Sequence, residues 1–529
     1  MKRIYLALIV LVGISVSCTK NFEDWQKDEK HPTEVPGDML FTNALKDLAD
    51  QVAETNVNVN NWKLFCQYWT ETTYTNEANY DIISRTVSDG VFRIFYRDIL
   101  KDLSEARKVI ATEETVTEEQ ANMKNNRLQI IEILEVYVYQ RLIDIFGDVP
   151  YTEATDIDNL YPAYDDGLTT YKVLVVKLDD AISAFKGSGS FLEGDLMYGG
   201  DIDKWKTFAY SLKARMGITI ADADASYAQG IFEAAASLTF ASSDDNAQMG
   251  YLTAPLNNTN PLFQALVASG RDDYVPANTL VDMLNDFNDP RMYAYLQKPV
   301  AFVYAKNDNN VKIDTELTGG SKMVITYADR VEVVDLPYMV LAVDSLDVFT
   351  YYKGGQYGYP SSFATNSHVA AAVHDPTFPS RLMTYTEILF YKAEAAARGW
   401  NAGGTAAEFY NAAITSSFAD WNVEGVAEYL ATEGVAWDGS GDEDVWKKMI
   451  GTQAWLGNYE RGFESWTTYR RLDYPMMNVP EAPETEGGVV PTRLTFPVNE
   501  QTLNPDSYAA AAAAVGGDLL TTKLFWDKH

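Results

Sequence analysis

The stretch Leu128 to Phe146 is apolar almost all round. A helix with one apolar stripe lies on a surface, whereas one that is apolar on every side has to be enclosed by other elements. The stretch therefore predicts a central helix packed on several sides and stopped by Gly147 and Pro150. A chain organised around such a rod needs several further helices to cover it.

The rest of the chain supplies them. Phe41, Leu45 and Leu48 suit the buried side of a helix, and Val91 to Ile110 continues with Ile94, Phe95, Ile99, Leu103 and Ala106 at helical spacing. Leu174, Leu178, Ala181, Ile182 and Phe185 form another stripe. So do Trp205, Phe208, Ala209, Leu212 and Met216, with Asp203 as the expected N-cap. Helix returns at Tyr385 to Arg398, around Ala406 to Phe418 and at Asp444 to Gly457, while Pro491 to His529 reads as turn-rich with an alanine run from Ala509 to Ala514. Consecutive amphipathic helices with short connections predict antiparallel pairs, as in tetratricopeptide-like stacks, although no repeat of about 34 residues is visible.

Between Ser242 and Ser380 the texture changes to a loop-rich insert. Asn257-Asn258-Thr259-Asn260-Pro261 and Gly354-Gly355-Gln356-Tyr357-Gly358 are turn chemistry, with short β-like runs at Met323 to Tyr327 and Val331 to Val334. Loops of this kind often present binding residues. Asn307-Asp308-Asn309-Asn310 is oxygen-rich enough to consider structural calcium, but it lacks EF-hand spacing and reads better as a solvated turn.

At 529 residues, length alone suggests about three domains, and 47% hydrophobic residues suffice for a packed core. The net charge of −33 disfavours nucleic-acid binding, which needs clustered cations to displace counterions from phosphates. Its ordinary meaning is a solubilising surface. Four scattered histidines make no zinc motif, and no Gly-rich phosphate loop, His-Glu-x-x-His, Cys-x-x-Cys or Gly-x-Ser-x-Gly elbow is present. Gly439-Ser440-Gly441 is a loop. No cofactor is expected and no catalytic residue is assigned. A glycosidase pair among 75 Asp and Glu would be invisible to motif reading, so a lipid-anchored glycoside hydrolase stays open as an alternative.

The N-terminus sets the compartment. Met1-Lys2-Arg3, the apolar run Ile4 to Val16 and small Ser17 describe a secretory signal over residues 1–17, too short to span a bilayer. Cys18 directly after it resembles the lipobox cysteine of bacterial lipoproteins, with Ser15 where that motif usually carries Leu. Residues 18–37, polar and carrying Pro32 and Pro36, then read as a tether between lipid and body. With Cys18 acylated, Cys66 has no partner for a disulfide.

An ordered series of motifs carries a resemblance. It runs from Phe146-Gly147-Asp148-Val149-Pro150-Tyr151, through Asp195-Leu196-Met197-Tyr198-Gly199-Gly200-Asp201, Trp205 and Ser211 to Arg215, to Asn288-Asp289-Pro290-Arg291 and the helix Thr386 to Ala395. It continues in Gly462-Phe463-Glu464-Ser465-Trp466, Tyr469-Arg470-Arg471, Tyr474-Pro475, Arg493 to Pro505 and Thr522 to Lys528. Together these stretches resemble the SusD/RagB-type outer-membrane lipoproteins of Bacteroidetes, in their SusD-like branch. The motifs read as scaffold: Trp205 and Trp466 as core, Arg470 and Arg471 as partners of carboxylates that hold the fold.

The resemblance implies a mostly α fold with tetratricopeptide-like helix pairs and a loop-rich insert (about 242–380) within one domain, 38–529. It implies a surface-facing, lipid-anchored protein that captures a glycan or oligosaccharide for a SusC-like TonB-dependent transporter; some members handle peptides instead. Sugar rings stack on aromatic faces while amides and carboxylates bind hydroxyls, so ligand candidates are sought in loops rich in both. The first stretch, Gln67 to Tyr80, offers Trp69, Tyr74, Asn76 and Tyr80, though Trp69 and Tyr74 would equally serve to pack the first helix pair. Arg271 and Asp272 form the second candidate, or else brace their own loop. Tyr357 and Tyr359 form the third, expected to be exposed by their glycine neighbours.

Overall fold

In the computed structural model, residues 35–298 and 351–529 are described in full, together with the backbone of strands between 300 and 350. The signal stretch, Cys18, most of the tether and the Asn307–Asn310 turn lie outside the described residues.

The chain opens with α1 (Gly37–Ala53) and the short α2 (Trp62–Phe65). Next come α3 (Val87–Arg93) and α4 (Lys101–Thr112), joined without a break by the π-helical turn Ile94–Leu100. The central rod α5 spans Glu118–Phe146. It begins ten residues before its apolar stretch because Thr117 and Gln120 form a reciprocal capping box that satisfies the free amides of a polar first turn. Every residue from Val136 to Phe146 is buried, so the all-round apolar pattern does mark an enclosed helix. The rod ends at Gly147, with φ +88°, where a Cβ would press on Leu524 and Val515 at 3.2 Å.

Then follow α6 (Gly167–Ala184), α7 (Ile202–Thr219) and α8 (Ala225–Ala235). The N-cap of α7 is Asp201, not Asp203: its carboxylate accepts from the amides of Asp203 and Lys204, so Asp203 is already inside the first turn. The next helix, α9, spans Asn278–Asp286, and α10 (Tyr385–Ala397), α11 (Ala406–Asp420), α12 (Glu443–Gly457) and α13 (Gly462–Leu472) follow the insert. The alanine run is helical rather than turn, forming most of α14 (Pro505–Ala514), with Pro505 at a position where its missing amide costs nothing. Neighbouring helices pack as pairs: α1 on α4, α5 on α6, α7 on α8, α10 on α11 and α12 on α13.

Strands are short. β1 (Trp69–Glu71) pairs antiparallel with β3 (Tyr274–Pro276), and β2 (Ala247–Met249) with β11 (Ser380–Met383). β4 (Leu296–Gln297) pairs with β10 (His368–Val369), and β5 (Val300–Ala305) with β9 (Leu346–Tyr351). β6 (Lys312–Asp314), β7 (Lys322–Thr326) and β8 (Val331–Asp335) form an antiparallel sheet where the β-like runs are expected.

Buried charges lock the helices around α5. Arg141 of α5 reaches Glu464 of α13 at 2.7 Å, Arg215 of α7 meets Glu387 of α10 at 2.8 Å, and Arg461 binds the same Glu387 at 2.6 Å. Arg471 pairs with Glu394 at 2.8 Å, as expected. Arg470 departs from that expectation. Its guanidinium donates to the carbonyls of Asp144 and Thr492 at 2.7 and 2.9 Å and stacks on Trp466, 3.3 Å from the ring centroid, so carbonyls and a π face hold it rather than a paired carboxylate. Trp205 and Trp466 are core residues, fully buried.

Candidate functional site

Pairing of β1 with β3 sets Glu71 opposite Tyr274 and so brings two distant stretches to one edge. Beyond the ladder, the amide of Thr72 donates to the carbonyl of Asp273 at 2.9 Å and its hydroxyl to that of Asp272 at 2.6 Å. The third stretch is drawn in alongside. Gly355 donates to the carbonyl of Pro276 and Asn278 to that of Gly355, both at 2.8 Å, while Ser361 donates to Glu71. All three stretches singled out in the sequence therefore converge on one surface.

Within them the exposed and buried residues sort cleanly. Tyr74 is 75% exposed at a left-handed φ of +55°, Asn76 is exposed beside Asp81, and Tyr359 is half-buried. Arg271 and Asp272 are exposed, and Arg271 braces the loop through Asp273 at 2.8 Å. Trp69, Tyr80 and Tyr357, expected as ligand contacts, are instead core. The indole of Trp69 donates to the Tyr459 hydroxyl, the Tyr80 hydroxyl accepts from Gln67, and the Tyr357 hydroxyl donates to the carbonyl of Leu64. Neighbouring glycine does not expose Tyr357. Gly358, at φ +76°, turns the strap against Pro480 so closely that a Cβ there would lie 2.5 Å from the proline ring.

Beneath the Tyr74 loop, Glu71 meets Glu77, and Glu77 is paired with Arg85. Burial, reinforced by the Glu77 charge, pushes the Glu71 carboxyl up to about 9, so it is protonated at neutral pH. Glu71 also accepts the amide of Ala78 at 3.0 Å, closing the loop that carries Tyr74 and Asn76.

Beside the strap opens a cleft of about 520 Å³ that includes Asn278, Asp282, Tyr351, Lys353, Gln356 and Asn366. Two of its polar atoms, the Tyr351 hydroxyl and Asn366 Oδ1, are buried without a hydrogen-bond partner among the described residues, although Asn366 anchors its amide nitrogen on the carbonyl of Ser362. Orphaned polar atoms are costly in a folded protein and await a partner of matching chemistry. Burial and the neighbouring Asp286 raise Asp282 to about 6. Of these residues only Gln356 lies in a stretch read as a site from sequence. The others are single polar residues on α9, β9 and a loop, whose convergence no local pattern announces.

Among the described residues no cluster of His, Cys, Asp and Glu could hold a metal ion, and no helix is long and apolar enough to cross a membrane. Cys66 is buried as a free thiol.

Residues 29–343 and 336–497 match the SusD-like family model described as starch-binding associating with outer membrane. No curated protein matches the chain. Among solved structures, the chain is similar to a chitin-binding protein at 24% identity, over 93% of this chain and 99% of that one, with a TM-score of 0.72. A SusD homologue from Bacteroides uniformis matches at 23% identity, with the same coverages and a TM-score of 0.71. A chitin-binding SusD homologue from Flavobacterium johnsoniae matches at 20% identity, over 93% and 98% of the two chains, with a TM-score of 0.70.

Proposed function

The chain belongs to the SusD-like family, and on that premise we propose that it is a glycan-binding lipoprotein of the outer membrane. It captures oligosaccharide at the cell surface and delivers it to a SusC-like TonB-dependent transporter. The observation that carries the glycan reading is the cleft: a polar cavity of about 520 Å³ with an orphaned tyrosine hydroxyl and amide oxygen, beside a surface bearing Tyr74, Asn76 and Tyr359. Hydroxyl-rich ligands supply the donors those atoms lack, and the exposed ring of Tyr74 offers a face for sugar stacking. The family description and the chitin-binding neighbours support the same ligand class.

Glycoside hydrolysis needs two carboxyl groups flanking the scissile bond, and Asp282 is the one carboxylate among the described residues lining the cleft. That favours binding without turnover. Titration calorimetry against neutral oligosaccharides, with peptides alongside and reducing ends assayed in parallel, tests the reading. Saturable glycan affinity without reducing-end release is expected; peptide binding alone, or release of reducing ends, defeats it. Delivery is tested separately by co-purification with an outer-membrane barrel from the native host.

A further inference from the structure

A second cavity lies apart from the glycan cleft, formed where residues 80–84 meet two C-terminal segments around Thr485 and Leu520. It is a groove of about 500 Å³ in which Tyr80, Ile82, Ile83, Leu519 and Leu520 sit among polar residues, and Ile83 and Leu519 are 63% and 65% exposed. Its charged lining residues are Asp81, Glu484, Glu486 and Asp518, with no Lys, Arg or His among them. Asp81 is occupied with Ser84 and Asp518 with Arg493, but the carboxylates of Glu484 and Glu486 have no partner among the described residues. Two exposed apolar side chains and two such carboxylates therefore share one groove.

We propose that this groove docks a segment of another protein in which apolar side chains alternate with lysine or arginine. The apolar residues fill the space between Ile83 and Leu519 while the cations meet Glu484 and Glu486 at the rim, the usual division between an interface's core and its edge. Charge selects this occupant over the others. A second copy of a chain with net charge −33 brings like charge to the rim, and an anionic lipid surface does the same. The proposal stands independently of the glycan reading, because the groove shares no lining residue with the glycan cleft.

The test titrates the full chain with three synthetic peptides of equal length, alternating Leu–Lys, Ser–Lys and Leu–Glu, followed by calorimetry and hydrogen exchange. Saturable binding of the Leu–Lys peptide alone is expected, with slowed exchange at residues 82–84 and 519–521. Leu519→Ser and Ile83→Ser should each weaken it about tenfold while thermal unfolding stays unchanged. Equal binding of the Ser–Lys peptide would reduce the effect to non-specific attraction to an acidic protein and overturn the proposal. Protection elsewhere, or affinity untouched by both substitutions, would overturn it as well. A dimer in sedimentation that Leu519→Ser dissociates would assign the groove to a second copy instead.

Discussion

Asn79 donates from its side-chain amide to the carbonyl of Gly358 at 2.8 Å, across 279 residues of chain. The same side chain donates to the carbonyl of Thr75 and accepts from the amide of Ala482, each at 2.7 Å. One residue thus ties the Tyr74 loop, the glycine strap and the 476–489 segment together. Replacing it by Ala removes three hydrogen bonds at roughly 1 kcal/mol each, so chemical denaturation should show a loss of about 2–3 kcal/mol. Glycan affinity should fall with it, because the loops lose their common register.

The orphaned atoms of the cleft make a sharper prediction. Tyr351→Phe removes a hydroxyl that has no bond to lose among the described residues, so the melting temperature should hold or rise slightly. Glycan affinity, measured by calorimetry, should fall several-fold. A variant that melts earlier with affinity intact would show that the hydroxyl serves the fold instead.

Glu71 sets a pH dependence. Its folded-state pKa, about 9, lies above the ordinary carboxyl value, so the folded protein keeps a proton that the unfolded chain releases. This contribution is complete below the ordinary carboxyl range and is lost as pH rises through about 9. Glu71→Gln mimics the protonated acid and should flatten the decline in stability between pH 6 and 9.5. Glu77→Gln breaks the pair with Arg85 and should destabilise already at pH 7. Denaturation midpoints of the two variants at both pH values check the contrast.

Arg470→Ala leaves the carbonyls of Asp144 and Thr492 without their donor and opens a void against Trp466. A loss of about 3–5 kcal/mol is expected from cavity and orphaned acceptors together. Urea titration of the variant against the parent measures it.

Cys18→Ala should release the protein from the membrane fraction without changing its unfolding transition. Radiolabelled palmitate should enter the parent and not the variant. Absence of label from the parent would remove the anchor from the proposal.

The helical scaffold was largely legible in the sequence, because its signals are local. An all-round apolar stretch does become an enclosed rod, and the stripes through Leu45, Leu178 and Phe208 face inward at helical spacing. Caps were less so. Asp201 and Asp203 are both acidic and near the start of α7, and only the backbone angles decide which one receives the amides. The site was half legible. Loop chemistry marks three stretches that the fold brings together, but the facing of each ring is set by β1–β3 pairing and by the turn at Gly358, contacts between residues some two hundred or more positions apart. Hence Tyr74 lies exposed and Tyr359 half-buried, while Trp69, Tyr80 and Tyr357 are core. Apart from Gln356 the cleft carries no sequence signal, since Asp282 and Asn366 belong to no motif and meet only in the folded chain.

The strap at Gly354–Ser361 is fixed almost wholly through main-chain atoms and through the side chains of Thr70, Asn79 and Asn278. Its outward side chains bear little of that holding role. Tyr359 and Gln356, with Tyr74 and Asn76 across the edge, therefore form a set of positions whose identities can drift while the frame beneath stays the same. A protein engineer could randomise them as a library with little risk to folding, and a shift in glycan preference among its members would follow from the proposed function.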